Sequence, residues 1–331
     1  MAVTLKDIAE RVGVTPATVS MVLNNKPNIG KETRRKVLKV AKELNYYPHA
    51  IARGLATKRT YAVGVVAPSL GYHFVSTVLL GIQSKIRRLD YNIVLFDTLG
   101  KKEIEQQTYR RIVREKRVDG AIVIFLNTPD ESLQEFVRED IPCVVLDKDT
   151  ERSSCVFVDN LEASQQATSY LIEKGHRRIA LVHGPLEWPA LAERKSGFEA
   201  ALDAAGIEMN PAYLCEAHET EIEDGMEAAR RLLSVKSRPS AVFCAAGDVV
   251  AAGVMGELRR NGFAIPDDIA VVGFGNLPIA QVTEPPLTTV QEPYFQMGAE
   301  STQILFRRLE GDRRAVERKA LSTELVVRAS A

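Results

Sequence analysis

The sequence predicts an all-α N-terminal head followed by an α/β body of two doubly wound, Rossmann-like parallel-sheet subdomains. Before residue 45, apolar residues recur with helical spacing around a glycine turn. After Thr60, short β-rich runs alternate with helical stretches, which is the pattern of parallel sheets built from right-handed crossovers. The length of 331 residues also exceeds that of one ordinary domain.

The first two helices of the head are predicted from one apolar face and a turn. The face of the first helix consists of Leu5, Ile8, Ala9 and Val12. Gly13 ends this helix, Thr15 is a good N-cap, and Pro16 suits the first position of a second helix. The second helix turns Val19, Val22 and Leu23 inward. Two helices joined in this way form a helix-turn-helix, whose second helix enters the DNA major groove.

A third helix is predicted to begin near Lys31, after the chain break at Pro27. Its inward residues are Val37, Val40, Ala41 and Leu44. Its basic end carries Arg34, Arg35, Lys36 and Lys39. Three short helices also fit a plain structural bundle, but the charge and the turn spacing favour a DNA-binding head.

The formal net charge of zero hides a strong asymmetry. Residues 1–60 hold 12 Lys and Arg against four Asp and Glu, so this segment carries +8 and the remainder −8. A basic head on an acidic body indicates a polyanionic partner for the head, with nucleic acid as the main candidate. The alternative is a solvated helical face.

The body is predicted from two series of alternating strands and helices. The first series is AVGVVA, helix 75–89, NIVLF, helix 102–116, GAIVIF, helix 130–139 and CVVLD. The second is helix 163–174, RIALVH, helices 191–205 and 222–233, SAVFC, helix 249–261 and IAVVGF. The tail adds LTTV, a helix near 294–309 and ELVVR. Ligands of such sheets bind outside the carboxyl ends of the strands, so a cleft is expected there.

Composition and motifs exclude several classes of protein. The apolar runs are strand-sized, and the first residues, MAVTLKD, do not resemble a signal peptide. Four well-separated cysteines without a CxxC pattern indicate reduced thiols in a cytoplasmic protein rather than disulfides or a zinc site. Nucleotide-binding, zinc-protease and serine-hydrolase motifs are absent, and the five histidines are scattered. We therefore expect no enzymatic activity, no metal and no cofactor.

The head also carries a family resemblance. The stretch TLKDIAERVGVTPATVSMVLN, followed by TRRKVLKVAKELNYYPHAIARGLAT, resembles the DNA-binding head and hinge of the lactose/galactose repressor (LacI/GalR) family. The resemblance extends along almost the whole chain, and its body resembles type I periplasmic sugar-binding proteins. It implies a DNA-binding domain at 1–48, a hinge helix at 49–60 and an effector-binding and dimerisation domain at 61–331. Within that last domain it implies an N-subdomain of about 61–160 plus 291–320, and a C-subdomain of about 161–290 plus 321–331.

The resemblance implies DNA-binding roles by position. Residues that match phosphate contacts are Thr4, Thr18, Ser20, Asn24 and Thr33, and Thr15 joins them as a DNA-binding candidate. Residues that match base-reading positions are Pro16, Ala17 and Met21. Many relatives carry an arginine where Met21 stands, and arginine can grip a guanine with two hydrogen bonds. Met21 and Ala17 can instead contact thymine methyl groups, so the hinge is expected to contribute more to specificity.

The hinge, HAIARGLAT, is implied to form a helix on DNA, to pair with its dimer partner and to place Leu55 between base pairs in the minor groove. Ala52 and His49 match neighbouring hinge contacts, although the family usually has asparagine where His49 stands. The alternative for Leu55 is a linker leucine that packs on the body.

The resemblance also implies an effector site in the body. Its candidates are Phe74, Asp147, Trp188, Arg194, Thr220, Asp248 and Gly275. Arg194 matches the cleft arginine that holds a polar or anionic group of the effector, and the alternative is a surface helix arginine. Phe74 can stack on a sugar or base, or else belong to the core. Asp147 ends a strand, Trp188 lies in a loop at the cleft edge, and Asp248 can alternatively cap a helix.

Three departures from the family put a simple hexose in doubt. Gly275 stands where the family usually has an aspartate that binds effector hydroxyls in sugar- and purine-responsive relatives. Gly247 replaces a more usual asparagine, and Thr220 falls where relatives often carry an aromatic residue. The ligand is therefore larger and fills the space over Gly275, or the site binds something else, or nothing.

The expected function is sequence-specific regulation of transcription, as a repressor on a near-palindromic operator. The expected partners are double-stranded operator DNA, a second copy of the chain and a small effector of the sugar, sugar-derivative or nucleoside class, with no membrane. The final residues, VVRASA, show no heptad tail, so we expect a dimer. The alternatives are a regulator switched by a partner protein and a solute-binding protein.

Overall fold

The computed structural model describes residues 3–23, 27–46, 54, 57, 59–87, 89–124, 129–312 and 315–331. The chain divides into two compact units, Met1–Tyr61 and Ala62–Ala331. Each unit has its own apolar core and is described by itself.

The head contains the three predicted helices. They are α1 (Leu5–Val12), α2 (Pro16–Leu23) and α3 (Lys31–Glu43). Thr4 and Asp7 form a capping box at the start of α1, where the Asp7 carboxylate accepts hydrogen bonds from the Thr4 amide at 2.7 Å and the Thr4 hydroxyl at 2.8 Å. Gly13 ends α1 with a left-handed φ of 78°, a conformation that glycine adopts at little cost.

The head core matches the predicted inward faces. Its buried residues are Ile8, Ala9, Val19, Val22, Val37 and Ala41. Thr15 occupies the position expected of a cap, because its hydroxyl accepts a hydrogen bond from the Thr18 amide at 3.1 Å. The predicted helix-turn-helix is therefore present, with α3 bracing the first two helices.

The body consists of two six-stranded sheets with helices on both faces. The strands are β1 (Ala62–Ala67), β2 (Asn92–Asp97), β3 (Gly120–Ile124), β4 (Cys143–Leu146), β5 (Ser154–Val158), β6 (Ile179–His183), β7 (Leu214–Glu216), β8 (Ala241–Cys244), β9 (Ala270–Gly275), β10 (Thr288–Gln291), β11 (Arg318–Leu321) and β12 (Glu324–Val326). The helices are α4 (His73–Ile86), α5 (Lys102–Glu115), α6 (Gln134–Arg138), α7 (Asn160–Glu173), α8 (Pro189–Ala204), α9 (Ile222–Ser234), α10 (Asp248–Arg260), α11 (Ile279–Val282) and α12 (Tyr294–Leu309). Short 3₁₀ turns cover Asp130–Leu133 and Pro211–Tyr213.

The first sheet has the order β11-β5-β4-β3-β1-β2, and all of its pairs are parallel. The second has the order β12-β10-β9-β8-β6-β7, and only its β10–β12 pair is antiparallel. Helices cover both faces, so central strands such as β1 and β3 are buried along their whole length. The predicted doubly wound class is confirmed.

Three strands of the structure were not predicted from the sequence. They are β5, β7 and β11. β7 has three residues, and β11 alternates exposed with half-buried positions at a sheet edge, so neither produces a continuous apolar run. The helix predicted over 130–139 is a 3₁₀ turn followed by the five-residue α6.

Glycines allow helices to pack closely in both subdomains. A Cβ on Gly81 of α4 would lie 2.0 Å from the carbonyl oxygen of Phe295 in α12. A Cβ on Gly253 of α10 would lie 2.1 Å from the carbonyl oxygen of Ile222 in α9. The backbones therefore meet where a side chain would separate them. Among the described residues, no helix has the length and apolar character needed to cross a membrane.

Candidate functional site

The exposed face of α2 carries the predicted base-reading residues. Pro16, Ala17 and Met21 are exposed, and Thr18 and Ser20 on the same helix are half-buried. Val19 and Val22 point into the head core, so the helix presents its remaining face to the outside. The side chains on this face are short or apolar. They therefore cannot read a base edge by hydrogen bonds, as a long polar side chain would.

The other predicted DNA contacts lie at helix starts or outside the described residues. Thr4 precedes α1 and Thr33 lies in the first turn of α3, near the amino ends where backbone N–H groups favour phosphate. Asn24, His49, Ala52 and Leu55 lie outside the described residues.

The body contains a cleft cavity of about 60 Å³. It is lined by Tyr72, His73, Phe74, Trp188, Leu191, Arg194, Thr220, Glu221, Ala246, Gly247, Asp248, Val249, Phe274, Leu277 and Tyr294. Of the predicted effector residues, the structure brings together Phe74, Trp188, Arg194, Thr220 and Asp248. Asp147 and Gly275 do not line the cavity. Its volume is far below the roughly 300–1,000 Å³ of drug-sized ligand sites.

Arg194 is buried, and three of its five N–H groups donate hydrogen bonds to the protein itself. It lies on α8 with 4% of its surface exposed, so the alternative of a surface arginine is wrong. Its guanidinium donates to the Asn160 side-chain oxygen at 2.8 Å, the Ala245 carbonyl at 3.2 Å and the Glu292 carboxylate at 2.9 Å. The guanidinium carbon lies 3.7 Å from the centroid of the Phe274 ring.

Asp147 and Glu292 are buried carboxyls on either side of this network. Asp147 follows β4 in a left-handed conformation, and its Oδ1 accepts a hydrogen bond from Asn160 at 3.2 Å. Its Oδ2 and the Oε1 of Glu292 are buried without a hydrogen-bond partner among the described residues. Burial, followed by the negative charge of Glu292, raises the pKa of Asp147 well above its usual value, against the opposing effect of Arg194.

Asp248 acts as an internal brace in the structure. Gly247, not Asp248, is the N-cap of α10, so the capping alternative is wrong. The Asp248 carboxylate accepts hydrogen bonds from the Leu277 amide at 2.6 Å and the Thr289 hydroxyl at 2.5 Å. Burial raises its pKa to about 6.

The space beside Gly275 is already occupied. A Cβ on Gly275 would lie 3.3 Å from the Tyr294 hydroxyl and 3.5 Å from an Asp248 carboxylate oxygen. An aspartate at this position would therefore meet the negative charge of Asp248. The glycine does not leave room over the strand for a larger ligand, contrary to one of the expectations above.

Aromatic rings form one wall of the cavity. The rings of Tyr72 and Phe74 stack with centroids 6.0 Å apart, and those of Phe74 and Tyr294 stack at 5.4 Å. Trp188 meets the Tyr72 ring edge-on at 5.5 Å. Val249 and Leu277 belong to the apolar cluster that contains Tyr294, so side chains of both subdomains pack together beside the cavity.

Four residues of this site were not predicted from the sequence, namely Glu292, Tyr294, Asn160 and Tyr72. Glu292 directly follows β10, so the same strand-end argument that identified Asp147 would have found it. Asn160 begins α7 just after β5, a strand that was itself missed. Tyr72 precedes α4, and no residue pattern marks it.

Comparisons with known proteins identify the class. A model of the lacI family of bacterial regulatory proteins matches residues 4–49, and a periplasmic binding protein-like domain matches 168–331. The chain is 36% identical over 331 residues to the HTH-type transcriptional repressor PurR of Vibrio campbellii, covering 98% of this chain and 97% of that protein.

Solved structures agree with this assignment. The lac repressor dimer bound to operator and the anti-inducer ONPF superposes with a TM-score of 0.89 and 26% identity, covering 100% of this chain and 99% of that one. The transcriptional regulator CelR in its cellobiose complex has a TM-score of 0.75 and 30% identity, covering 99% and 100%. A helix-turn-helix head with a two-sheet body defines a DNA-binding transcriptional regulator. The chain belongs to the lacI family of these regulators.

Proposed function

We propose that the chain is a repressor that binds a near-palindromic operator as a homodimer. The observation that carries this proposal is the exposed α2 face of Pro16, Ala17 and Met21 on a capped helix-turn-helix. A two-fold dimer presents two such heads, and the symmetry of the protein then requires a symmetric site. The lac repressor structure, a dimer on its operator, supports the same arrangement.

The proposed domains follow the sequence interpretation. Residues 1–48 bind DNA, 49–60 form the hinge, and 61–331 bind the effector and dimerise. The proposed DNA contacts are Thr4, Thr15, Pro16, Ala17, Thr18, Ser20, Met21, Asn24, Thr33, His49, Ala52 and Leu55. Those within the hinge rest on the family resemblance alone.

The body controls operator affinity through its cleft in this proposal. The cavity is lined by Phe74, Trp188, Arg194, Thr220 and Asp248. Asp147 and Gly275 do not line it, but Asp147 accepts a hydrogen bond from Asn160, and Gly275 lies beside Tyr294 and Asp248. A ligand that prefers one degree of cleft closure shifts the population of DNA-competent dimers by its differential affinity for the two states. The cellobiose complex of CelR supports ligand binding in a related body.

A second candidate is a regulator switched by a partner protein. The pairing of Arg194 with Glu292 favours it, because the arginine that the resemblance assigns to the effector is already ion-paired within the protein. A solute-binding protein without a DNA role is disfavoured by the match of residues 4–49 to the regulatory family.

The test is selection of bound sequences from a random double-stranded DNA library with the full-length protein. The proposal predicts one enriched near-palindromic motif, bound with an affinity that falls steeply as salt rises. Folded, dimeric protein that enriches no motif would overturn it.

A further inference from the structure

The charges around the cleft cavity do not suit an anionic ligand. Arg194 is the one lysine or arginine among the cavity-lining residues in the described part of the chain. Glu292 already pairs with it at 2.9 Å, and both side chains are almost completely buried. Asn160 and the Ala245 carbonyl take further guanidinium N–H groups. A carboxylate or phosphate entering the cavity would approach a guanidinium whose charge Glu292 already compensates, and it would meet the negative charge of Glu292.

The remaining charges at the cavity are negative. Glu221 and Asp248 both line it. The Tyr72 hydroxyl senses the same field, because burial and then the charges of Glu219, Glu221 and Asp97 raise the pKa of Tyr72. A positive group is therefore complementary to the cavity as built.

The position of Glu221 is fixed by the loop that carries it. The Asp224 carboxylate accepts hydrogen bonds from the backbone amides of His218 at 3.2 Å, Glu219 at 3.1 Å and Glu221 at 3.0 Å. The loop thus holds Glu221 at the cavity edge, where its carboxylate also accepts a hydrogen bond from the Asp224 amide in the capping box of α9.

The aromatic wall supplies a second element of cation recognition. Four aromatic rings line the cavity, and each contacts at least one of the others; they belong to Tyr72, Phe74, Trp188 and Tyr294. Aromatic faces attract cations through their quadrupole, and groups of such rings recognise ammonium and methylated ammonium groups. The protein already uses this interaction nearby, where Arg194 lies over the ring of Phe274.

The volume limits what can be buried there. The cavity measures about 60 Å³, which suits a compact group such as an ammonium head group. The body of a ligand would then extend out of the cavity.

We propose that the cleft binds an organic cation, with an ammonium head group held between the aromatic wall and Glu221. This inference rests on the proposed regulatory function and names the ligand class for its cleft. The expected ligand class therefore differs from that of any relative whose cleft arginine is available to bind a ligand.

The experiment uses matched ligands that differ only in charge. Full-length protein is heated with glucosamine, glucose or glucuronate, and with phenethylamine, 2-phenylethanol or phenylacetate. A ligand at 100 times its dissociation constant raises the Tm of a body of this size by about 5 °C. We expect an amine of at least one series to give such a shift and its alcohol and carboxylate to give none.

Two variants locate the effect. Glu221→Gln should lower the affinity for the amine at least about tenfold and so reduce the amine-induced Tm shift. Glu223 is an exposed acid two residues further along the chain, in α9, and Glu223→Gln should leave the affinity and the shift unchanged. Equal loss in both variants would indicate a general charge effect and overturn the proposal.

The outcomes separate this inference from the proposed function. A shift with an alcohol or a carboxylate but not with the amines overturns the cation and leaves the regulator intact. No shift with any compound, while a DNA motif is still selected, also overturns it and favours the partner-protein alternative. Failure to select any motif overturns the proposed function itself, whatever the ligands do.

Discussion

Arg194 and Glu292 form a buried ion pair at 2.9 Å that joins helix α8 to the segment between β10 and α12. β10 belongs to the second sheet, and α12 packs against the first. The pair therefore lies where the chain crosses between the subdomains. Its arginine is the residue that the family resemblance assigns to effector binding.

Breaking this pair from one side should destabilise the body strongly. Arg194→Met leaves the Glu292 carboxylate buried without its counter-charge, and such losses cost about 3–5 kcal/mol. The measurement is chemical unfolding followed by the fluorescence of Trp188, the single tryptophan, which lies at the cavity. The double variant Arg194→Met/Glu292→Met should lose less than the sum of the two single changes. Additive losses would show that the two side chains do not act as a pair.

Asp147 should make the body less stable as the pH rises. Its pKa is raised in the folded protein, so the folded state holds a proton that the unfolded chain releases near pH 4. The contribution of Asp147 to stability is therefore greatest at low pH and falls as pH rises from about 4 through its folded pKa. Asp147→Asn removes this penalty, so its stability relative to the wild type should improve between pH 5 and pH 8.

The control for this change is Asp267→Asn, at an exposed position. Urea unfolding at both pH values should give a difference between the two variants that grows with pH. An Asp147→Asn variant whose relative stability is the same at pH 5 and pH 8 would refute a raised pKa.

The glycine in the α9–α10 contact offers a packing test within one helix. Gly253→Ala places a Cβ 2.1 Å from the Ile222 carbonyl oxygen, so the helices must separate, at a cost of about 1–3 kcal/mol. Gly256→Ala, one turn along α10, meets nothing within 4 Å and should be neutral or stabilising by up to about 1 kcal/mol. Thermal unfolding of both variants distinguishes them, and similar losses would argue against the close helix contact.

Met21 should determine part of the operator sequence. Met21→Arg replaces an exposed apolar side chain on α2 with one that can donate two hydrogen bonds to guanine. Selection with this variant should enrich a guanine in each half-site that the wild type does not enrich. An unchanged motif would show that residue 21 does not face the bases.

The sequence predicted local structure best where one physical signal dominates. The face of α1, the Thr15 cap and the fully buried run of β1 were all identified, because spacing and apolar content determine them. Short edge strands such as β7 and β11 were not, because pairing with a neighbouring strand stabilises them more than their own residues do.

The site was predicted in part for a similar reason. Strand-end position and resemblance identified Arg194, Asp248 and Phe74, and the structure gathers them at one cavity. The partner of Arg194 is Glu292, 98 residues away, and no local pattern in one sequence reveals such a pairing. That pairing decides whether the arginine is available to a ligand.

In the proposed mechanism, the state of the cleft controls the affinity of the head for operator DNA. The most direct measurement compares wild type and Glu292→Gln for binding to the selected operator duplex and to a scrambled duplex at the same salt concentration. Weakening the Arg194 pair should change operator affinity at least about fivefold, the lower end of typical allosteric coupling, and leave scrambled-duplex affinity unchanged. Equal operator affinity in two equally folded proteins would contradict the account.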